Sequence, residues 1–554
     1  MEISKSYLIR QLYLLIFLFT LLLILTVSLI YIDLKDIDFF ETNTYYLASP
    51  TKTNTLIDLE TSEKIEITRG SELLHVGNLE DFVKVEFNDR IYLIDYKYLK
   101  ENINDVVLED SLYVRTPSTI RLEDGLSLVK KGEKVEVLGY DEIFADGSIK
   151  MYKIRHNEKE GYVYGKYLTD DYEYANSTYT EGDYEIHQRR GNTLGGGASY
   201  NLDFFPVDKD PIVGNEMPSE ARTLYLNGAV IHRVDEYIEE FKNTSINAFV
   251  VDIKDDKMPA YKSEVMKQFS PTNYNRALNT FDRYKTAIDK LNDAGFYTIG
   301  RITVFKDEYF VMDHKDHAIL DKRSGKPLIH NNSNWPTPYS REVWEFNVEL
   351  AKEAVREFGF NEIQFDYIRF PDRINRLERD GHINLKNRYD EDKAEAVQNF
   401  LFYAKDELRE VGAYISADVF GESSHAYVTA YGQYFPAISN IVDVISPMPY
   451  PDHFSMYEYG LKVPVWTTPY EVLKIWGNFT RLRQNETPTP AKVRTWIQAY
   501  DAIRSPRIKY DNEIIELQIQ ALVDSELDGG FMTWNAASNL SRYISYKDAF
   551  EREY

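Results

Sequence analysis

The stretch Phe360–Pro371, FNEIQFDYIRFP, combines the pattern of a buried strand with a carboxylate near its end. Side chains two residues apart in a strand point to the same side. Gln364 and Asp366 therefore share one face, and Ile363 and Phe365 share the other. A carboxylate at the end of an apolar strand is costly unless it is paired or lies in a cleft. We predict that Asp366 lies at the centre of an active site, at the carboxyl end of a barrel strand.

Predicted strands alternate with predicted helices on both sides of this stretch. The strand candidates are Thr223–Ala229, Ile246–Lys254, Tyr297–Val304, Glu362–Phe370, Tyr414–Phe420, Val442–Met448, Val493–Ala499 and Gly530–Trp534. Helical patterns cover Val234–Phe241, Phe281–Ala294, Arg341–Phe358, Lys393–Val411 and Asn512–Leu527. Helix and loop are hardest to separate in Pro464–Pro490. Eight β/α units over about 330 residues predict an α/β fold, a (β/α)8 TIM barrel; a doubly wound sheet, the competing fold, would not need eight strands.

Polar and aromatic side chains occupy one face near the carboxyl ends of these strands, where the active sites of such barrels lie. The candidates for substrate contact are Asp252, Lys254, Arg301, Tyr367, Arg369, Tyr450, His453, Glu471, Trp496, Gln498 and Trp534. The candidates for a second carboxylate beside Asp366 are, in order of preference, Asp418, Glu422 and Glu471. A single polar residue on the inward face is compatible with a hydrogen-bonded group in the core. A set of polar residues on the inward faces of several strands predicts an active site.

Several carboxylates without a cluster of metal ligands or a phosphate-binding loop indicate acid/base chemistry on a neutral polymer. Glycoside hydrolysis requires two carboxyl groups flanking the bond that is cleaved. Trp496, Trp534, Tyr367 and Tyr450 would offer flat apolar faces to sugar rings, with core packing as the alternative for each. No metal and no cofactor is predicted. A metal-dependent deacetylase ranks lower. Its candidate metal ligands would be His314, His317 and His330, and the spacing of these three histidines fits no standard metal motif.

Seven motifs between about Leu224 and Asn539 resemble a family of glycoside hydrolases with a TIM-barrel fold, related in architecture to the α-amylase and α-galactosidase barrels. The motifs are AFVVDIKDD, FNEIQFDYIRFP, SADVFG, ISPMPYP, TTPYE, VRTWIQAY and GGFMTWNAAS. In the related barrels the strand-four aspartate is the nucleophile or a key carboxylate, and the resemblance implies this role for Asp366. Thr495 stands where the family usually has proline, a departure that affects strand geometry rather than an obvious catalytic group.

These considerations assign a role to each main candidate. Asp366 is expected to act as nucleophile or transition-state stabiliser, and Asp418 or Glu422 as general acid/base. Arg369 lies close enough in sequence to keep Asp366 ionised, because a nearby cation lowers the pKa of a carboxyl group.

Three further candidates are expected to contact the substrate. Asp252 and Lys254 would bind hydroxyl groups or pair with each other, and His453 would donate to a sugar. The leading interpretation is a glycoside hydrolase acting on a polysaccharide or peptidoglycan-type glycan. The alternative is a non-catalytic glycan-binding or envelope scaffold protein that uses the same cleft.

The amino terminus carries a candidate membrane anchor. Leu12–Ile32 has 21 residues without a charge, which as a helix span roughly 30 Å, the thickness of a bilayer core. Lys5 and Arg10 precede this segment and Asp33 follows it. By the positive-inside rule the amino end is cytoplasmic and the bulk of the chain extracellular, on a single-pass protein of the cell membrane. A cleaved signal peptide is the alternative.

Short alternating strands and turns fill residues 45–168 in two copies of about 60 residues, a size that suits small β-barrels. Phe82–Glu86 with Arg90–Ile94 in the first copy corresponds to Met151–Arg155 with Gly161–Tyr164 in the second. Both copies resemble the bacterial Src-homology-3-like (SH3-like) domain that is common in cell-wall and secreted proteins. The resemblance implies binding of wall peptide or glycan, and a spacer that lifts the next domain off the membrane is the alternative.

Length and composition fit several domains rather than one. We predict residues 1–38 as cytoplasmic stub and transmembrane anchor, 39–103 and 104–169 as SH3-like domains, 170–221 as linker and 222–554 as TIM barrel. The net charge of −25 argues against nucleic acid as a partner. The chain has no cysteine, which excludes disulfides, thiolate metal sites and cysteine nucleophiles.

Overall fold

The computed structural model describes residues 12–13, 15–22, 43–79, 82–122, 125–177, 187, 191–527 and 529–554. Most of the predicted anchor Leu12–Ile32 lies outside these residues, although Leu12, Tyr13 and Leu15–Leu22 are helical. Within the described ranges, no helix has the length and apolar character needed to span a bilayer. The chain divides into two compact units, namely residues 1–111 with 136–154 and 164–166, and residues 112–135 with 155–163 and 167–554.

The amino-terminal part is all-β, as predicted. Its first sheet has seven strands: Thr44–Leu47, Thr53–Asp58, Lys64–Thr68, Glu72–Leu79, Phe82–Phe87, Arg90–Asp95 and Leu99–Lys100. Alternation decides which side chains are buried: Val83 and Val85 join the core while Lys84 and Glu86 remain partly accessible. The strand pairs here are antiparallel, and three of the six join strands that follow each other in the chain, which suits short turns.

Seven further strands follow: Ser111–Val114, Ser118–Leu122, Gly125–Val129, Lys134–Tyr140, Met151–His156, Lys159–Tyr164 and Leu168–Thr169. The strand Ser118–Leu122 pairs antiparallel with Gly125–Val129 and, through Arg121 and Tyr162, with Lys159–Tyr164. This confirms the β-rich repeat of the sequence, while the predicted domain boundaries stay a prediction.

The carboxyl-terminal part contains a parallel, barrel-like sheet. Its strands are β1 (Ala221–Leu226), β2 (Ala248–Asp255), β3 (Tyr297–Thr303), β4 (Glu362–Asp366), β5 (Tyr414–Phe420), β6 (Val444–Met448), β7 (Lys492–Val493 and Thr495–Gln498) and β8 (Gly530–Trp534). Arg494 separates the two segments of β7, of which the first pairs with β6 and the second with β8. Because β8 also pairs with β1, the order of strands is closed, consistent with the predicted TIM barrel.

Helices lie between successive strands. The main ones are α1 (Val234–Phe241), α2 (Phe281–Asp293), α3 (Arg341–Phe358), α4 (Lys393–Glu410), α5 (Phe435–Ile441), α6 (Pro469–Asn485) and α7 (Asn512–Asp524). Shorter helices are Tyr172–Asn176, Glu264–Phe269, Pro271–Arg276, Glu308–Asp313, Ile374–Arg379, Leu540–Ile544 and Lys547–Glu551. Two-residue strands are Met258–Pro259, Leu320–Asp321, Lys326–Pro327, Ile329–His330, Ser333–Asn334 and Ile383–Asn384. The sequence pattern missed α5, which is apolar over most of its length. In Pro464–Pro490 the pattern did not separate helix from loop; the structure forms α6 there, beginning with proline, which suits the first helical position.

The segment before the barrel packs against it. A Cβ atom added to Gly196 would lie 1.7 Å from the carbonyl oxygen of Thr429. Gly197 has a φ of +121°, and a Cβ there would lie 2.7 Å from the Cβ of Asp392. These glycines therefore permit close approach of backbone to the barrel.

Helix α4 is also covered from the β-rich side of its compact unit. The Tyr167 hydroxyl donates to Asp406 Oδ2 at 2.8 Å, and Arg121 pairs with Glu407. Fifteen of the eighteen residues of α4 are consequently buried, more than one amphipathic face would be.

Candidate active site

Asp366 is the last residue of β4 and is held by the neighbouring strand. Its Oδ2 accepts hydrogen bonds from Arg301 Nε at 3.2 Å and Nη2 at 2.5 Å, and its Oδ1 accepts from the Tyr367 amide at 2.5 Å. Tyr367 has a φ of 51°, so the chain turns away from the sheet directly after the carboxylate. The strand predicted to continue to Phe370 therefore ends at Asp366.

Arg301 extends from β3 and contacts a second carboxylate with its other edge. Arg301 Nη1 donates to Asp252 Oδ1 at 2.7 Å, and the Tyr225 hydroxyl donates to Asp252 Oδ2 at 2.5 Å. Burial raises the pKa of Asp252 to about 6, with Arg301 acting in the opposite direction. The rigid fork of a guanidinium suits such a buried bridge between carboxylates.

Asp418 on β5 completes a group of three buried aspartates around one cation. Its Oδ1 accepts from Trp496 Nε1 at 2.8 Å, and its Oδ2 lies 3.9 Å from Arg301 Nε. Among the described residues, Asp418 Oδ2 has no hydrogen-bond partner. Burial raises the pKa of Asp418 well above its ordinary range, and the charge of Asp366 raises it further. Asp418 therefore keeps its proton to a higher pH than a free aspartic acid.

The distances to Arg301 Nε limit the separation of two of these carboxyl groups. Asp366 Oδ2 lies 3.2 Å and Asp418 Oδ2 3.9 Å from that atom, so the two oxygens are separated by no more than the sum, 7.1 Å. Glycosidases place their two carboxyl groups about 5 to 9.5 Å apart, so an upper bound of 7.1 Å excludes neither stereochemical course.

Asp366 and Asp418 open onto one cavity of about 130 Å³. Its lining residues are Arg301, Asp366, Tyr367, Arg369, Asp418, Phe420, Met448, Tyr450, His453, Trp496 and Trp534. A larger cavity of about 590 Å³ shares four of them, namely Phe420, Met448, Tyr450 and His453. The structure thus brings together Asp366, Asp418 and most of the predicted contact residues from separate strands.

Glu422, the second choice for the partner carboxylate, lies outside the small cavity. It follows β5 in a short 3-10 turn and accepts hydrogen bonds from Tyr427 and Tyr431 at 3.2 and 2.9 Å. It lines the larger cavity instead.

Lys254 does not reach the mouth of the barrel. The register between β2 and β3 shifts between Asp252 and Lys254, so that Asp252 lies opposite Arg301 but Lys254 opposite Ile302. This bulge turns Lys254 to the other face. Its Nζ donates to Asp307 Oδ2 at 2.7 Å. The same Nζ lies 5.5 Å from the ring centre of Phe346 on α3. Of the two alternatives for Asp252 and Lys254, the pairing with each other is wrong, because Asp252 pairs with Arg301 and Lys254 with Asp307.

Two further expectations need correction. The cation that contacts Asp366 is Arg301; Arg369 lines the same cavity but donates to the Phe370 carbonyl at 3.0 Å and lies 3.4 Å from Asp372. Glu471 is exposed in the first turn of α6 and lines neither cavity, because the chain after Pro469 is helical.

Gln498 is buried and supports the loop after β6 rather than lining a cavity. Its side chain accepts from the Asp452 amide at 3.2 Å and donates to the Tyr500 carbonyl at 3.3 Å. Tyr225, by contrast, was missed as a contributor to the site. Period-two counting along β1 would place it inward, in register with Val250 of β2, but its role depends on a hydroxyl contact that no pattern encodes.

The part of the chain that the structure describes contains no group of three or more histidine, cysteine or acidic residues placed to hold a metal ion. His314 instead contacts the Phe269 carbonyl at 2.6 Å, and His317 contacts the Ser340 hydroxyl at 2.9 Å.

Residues 223–540 match the family model described as "Putative glycosyl hydrolase domain", which covers more than half of the chain. The comparison with curated proteins gives no match.

Three solved structures are similar to parts of this chain. A hypothetical protein from Ruminiclostridium thermocellum ATCC 27405 is 31% identical over 35% of this chain and 97% of its own, with a TM-score of 0.30. The PgaB (BpsB) glycoside hydrolase domain from Bordetella bronchiseptica is 11% identical over 60% of this chain and 100% of its own, with a TM-score of 0.44. The Bacillus megaterium QM B1551 spore cortex-lytic enzyme SleL is 12% identical over 67% of this chain and 82% of its own, with a TM-score of 0.35. Because these TM-scores lie below 0.5, the family assignment rests on the family match.

Proposed function

We propose, from the premise that this chain belongs to the glycosyl hydrolase family matched over residues 223–540, that it hydrolyses a cell-wall or extracellular polysaccharide through Asp366 and Asp418. The supporting observation is that these two carboxyl groups share one cavity but have different surroundings. Asp366 accepts two hydrogen bonds from Arg301, whereas Asp418 is buried and its Oδ2 accepts no hydrogen bond from the described residues. Such a difference separates an ionised carboxylate from a proton donor.

Asp418 serves as the general acid. Its Oδ2 donates a proton to the glycosidic oxygen as the bond to the sugar breaks, and the raised pKa keeps that proton to a higher pH than in a free aspartic acid. Trp496 holds the other oxygen of the same carboxyl group and so fixes its orientation.

Asp366 is paired with Arg301 and faces the positive charge that develops on the sugar ring. It either attacks the anomeric carbon and forms a covalent intermediate that water releases, or stabilises the charge while water attacks. In both cases Asp366 acts through its carboxylate oxygens, and the two hydrogen bonds from Arg301 fix their position.

The location of the enzyme is part of the proposal. The charge-free segment Leu12–Ile32, with Lys5 and Arg10 before it, supports a single membrane anchor with the barrel outside the cell. The two β-rich regions would then lie between the membrane and the barrel in sequence, as spacers or as wall-binding modules.

The test is release of reducing ends from purified wall and exopolysaccharide glycans by the full chain in detergent. We expect hydrolysis by the wild type and by Glu471→Gln, whose carboxylate is exposed outside both cavities, and no hydrolysis by folded Asp366→Asn. Glycan binding without cleavage by the wild type, unchanged in Asp366→Asn, would favour a non-catalytic scaffold protein instead.

A further inference from the structure

The small cavity is too small to hold a substrate alone. Ligand sites usually enclose about 300 to 1,000 Å³, and the space beside Asp366 and Asp418 is about 130 Å³. The adjoining cavity has about 590 Å³ and is formed by the segments that follow β4, β5 and β6. Phe420, Met448 and Tyr450 belong to both, so a molecule that reaches the aspartates also occupies the larger cavity.

The walls of the larger cavity suit sugar rings. Phe420, Tyr427 and Phe454 contribute aromatic side chains, and His425 stacks on Tyr427 with ring planes 2° apart. Aromatic faces bury the apolar sides of pyranose rings, while carboxylate oxygens such as those of Glu422 accept from sugar hydroxyls.

Its charge is unbalanced. The lining contains the carboxylates of Asp372, Glu422 and Glu458 against the single guanidinium of Arg373. Asp372 is compensated by Arg369 at 3.4 Å and lies 3.7 Å from His330. Within the described ranges, neither Glu422 nor Glu458 forms an ion pair; Glu422 accepts from two tyrosines and Glu458 from the Ser455 amide at 3.3 Å.

We infer that the larger cavity binds the sugar residues next to the cleaved bond and that Glu422 and Glu458 select uncharged glycans against glycans that carry carboxylate or phosphate groups. The inference rests on the proposed function and narrows its substrate class. With Asp372 paired to Arg369, an anionic sugar would face the two carboxylates of Glu422 and Glu458 against the one guanidinium of Arg373, a net negative charge that lowers its affinity.

The chain has no cysteine, so one introduced thiol reports on this cavity without background. In Ser455→Cys we would measure the rates of modification by a cationic and an anionic methanethiosulfonate of similar size. After each rate is divided by the rate of the same reagent with free 2-mercaptoethanol, we expect the cationic reagent to react about tenfold faster. Adding Glu458→Gln or Glu422→Gln should reduce the ratio, while adding Glu471→Gln should not. Equal rates for the two reagents after this normalisation, or no response to Glu458→Gln, would overturn the selection by charge.

A second measurement uses matched polymers. For any neutral polysaccharide that the enzyme hydrolyses, its hydroxyethyl and carboxymethyl derivatives differ in charge but carry substituents of similar size. We expect at least tenfold faster hydrolysis of the hydroxyethyl derivative, and a smaller difference in Glu458→Gln. Equal rates would overturn the inference. If no glycan is hydrolysed, the proposed function fails, and the thiol experiment still decides the charge of the cavity.

Discussion

Arg301 lies between Asp252 and Asp366, with Nη1 2.7 Å from Asp252 Oδ1 and Nη2 2.5 Å from Asp366 Oδ2. Both edges of one guanidinium are therefore occupied by carboxylates from the two flanking strands. Asp252 is fully buried and lines neither cavity, so it acts on the site through Arg301. Tyr225 fixes Asp252 in turn.

Replacing Asp252 with asparagine should lower kcat by about 100-fold with little change in KM, because Arg301 and then Asp366 lose their fixed position. Steady-state kinetics on a hydrolysed glycan would check this, with circular dichroism to confirm folding. An increase in KM at unchanged kcat would instead mean that Asp252 contacts the substrate.

The same residue makes stability depend on pH. The pKa of Asp252 is about 6 in the folded protein and 3.8 for the free side chain, so the folded state binds more protons between these values. The free energy of unfolding should therefore fall as pH rises from about 4 to about 6. Denaturant titrations at pH 4 and pH 7 should show a smaller difference for Asp252→Asn than for the wild type. An equal difference would exclude this contribution.

Trp496→Phe should move the basic limb of the pH–rate profile upward. The indole N–H donates to Asp418 Oδ1 and favours the ionised form, so its removal raises the pKa of Asp418. We expect a shift of about one pH unit, the usual size for one hydrogen bond to a charged group. Trp534→Phe changes another aromatic side chain of the same cavity but does not affect the hydrogen bond from Trp496 to Asp418. It should leave the basic limb in place. A downward shift in Trp496→Phe would contradict the assignment.

A buried ion pair stabilises the barrel away from the site. Arg494 Nη1 donates to Glu362 at 2.9 and 3.0 Å, and both side chains are fully buried. Arg494→Ala leaves the carboxylate uncompensated and should lower the free energy of unfolding by about 3–5 kcal/mol. Lys242→Ala breaks an exposed ion pair with Glu239 and should change the free energy of unfolding by less than about 1 kcal/mol. Similar values from denaturant unfolding of the two variants would contradict this.

Much of the fold could be predicted because the apolar residues of most barrel strands and helices follow a clear periodicity. The bounds of β5, β8, α1 and α3 agree with the sequence pattern. β4 is shorter than predicted because Tyr367 adopts a positive φ, which an apolar pattern does not reveal.

The site was predictable only in part. Period-two counting brought Asp366 and Asp418 to one cavity, since both lie on regular strands. It failed for Lys254, where a bulge changes the phase of the strand. Proximity in sequence also favoured Arg369 as the partner of Asp366, whereas the contact comes from Arg301, 65 residues earlier on the adjacent strand.

The measurement that tests the central claim most directly compares leaving groups in Asp418→Asn. The variant should lose about 10²- to 10⁴-fold in kcat/KM on the natural glycan, whose leaving oxygen needs a proton, and much less on the matching dinitrophenyl glycoside, which leaves unprotonated. Asp366→Asn should lose activity on both. Equal losses of Asp418→Asn on the two substrates, or full activity of Asp366→Asn on either, would contradict the assignment of these two carboxyl groups.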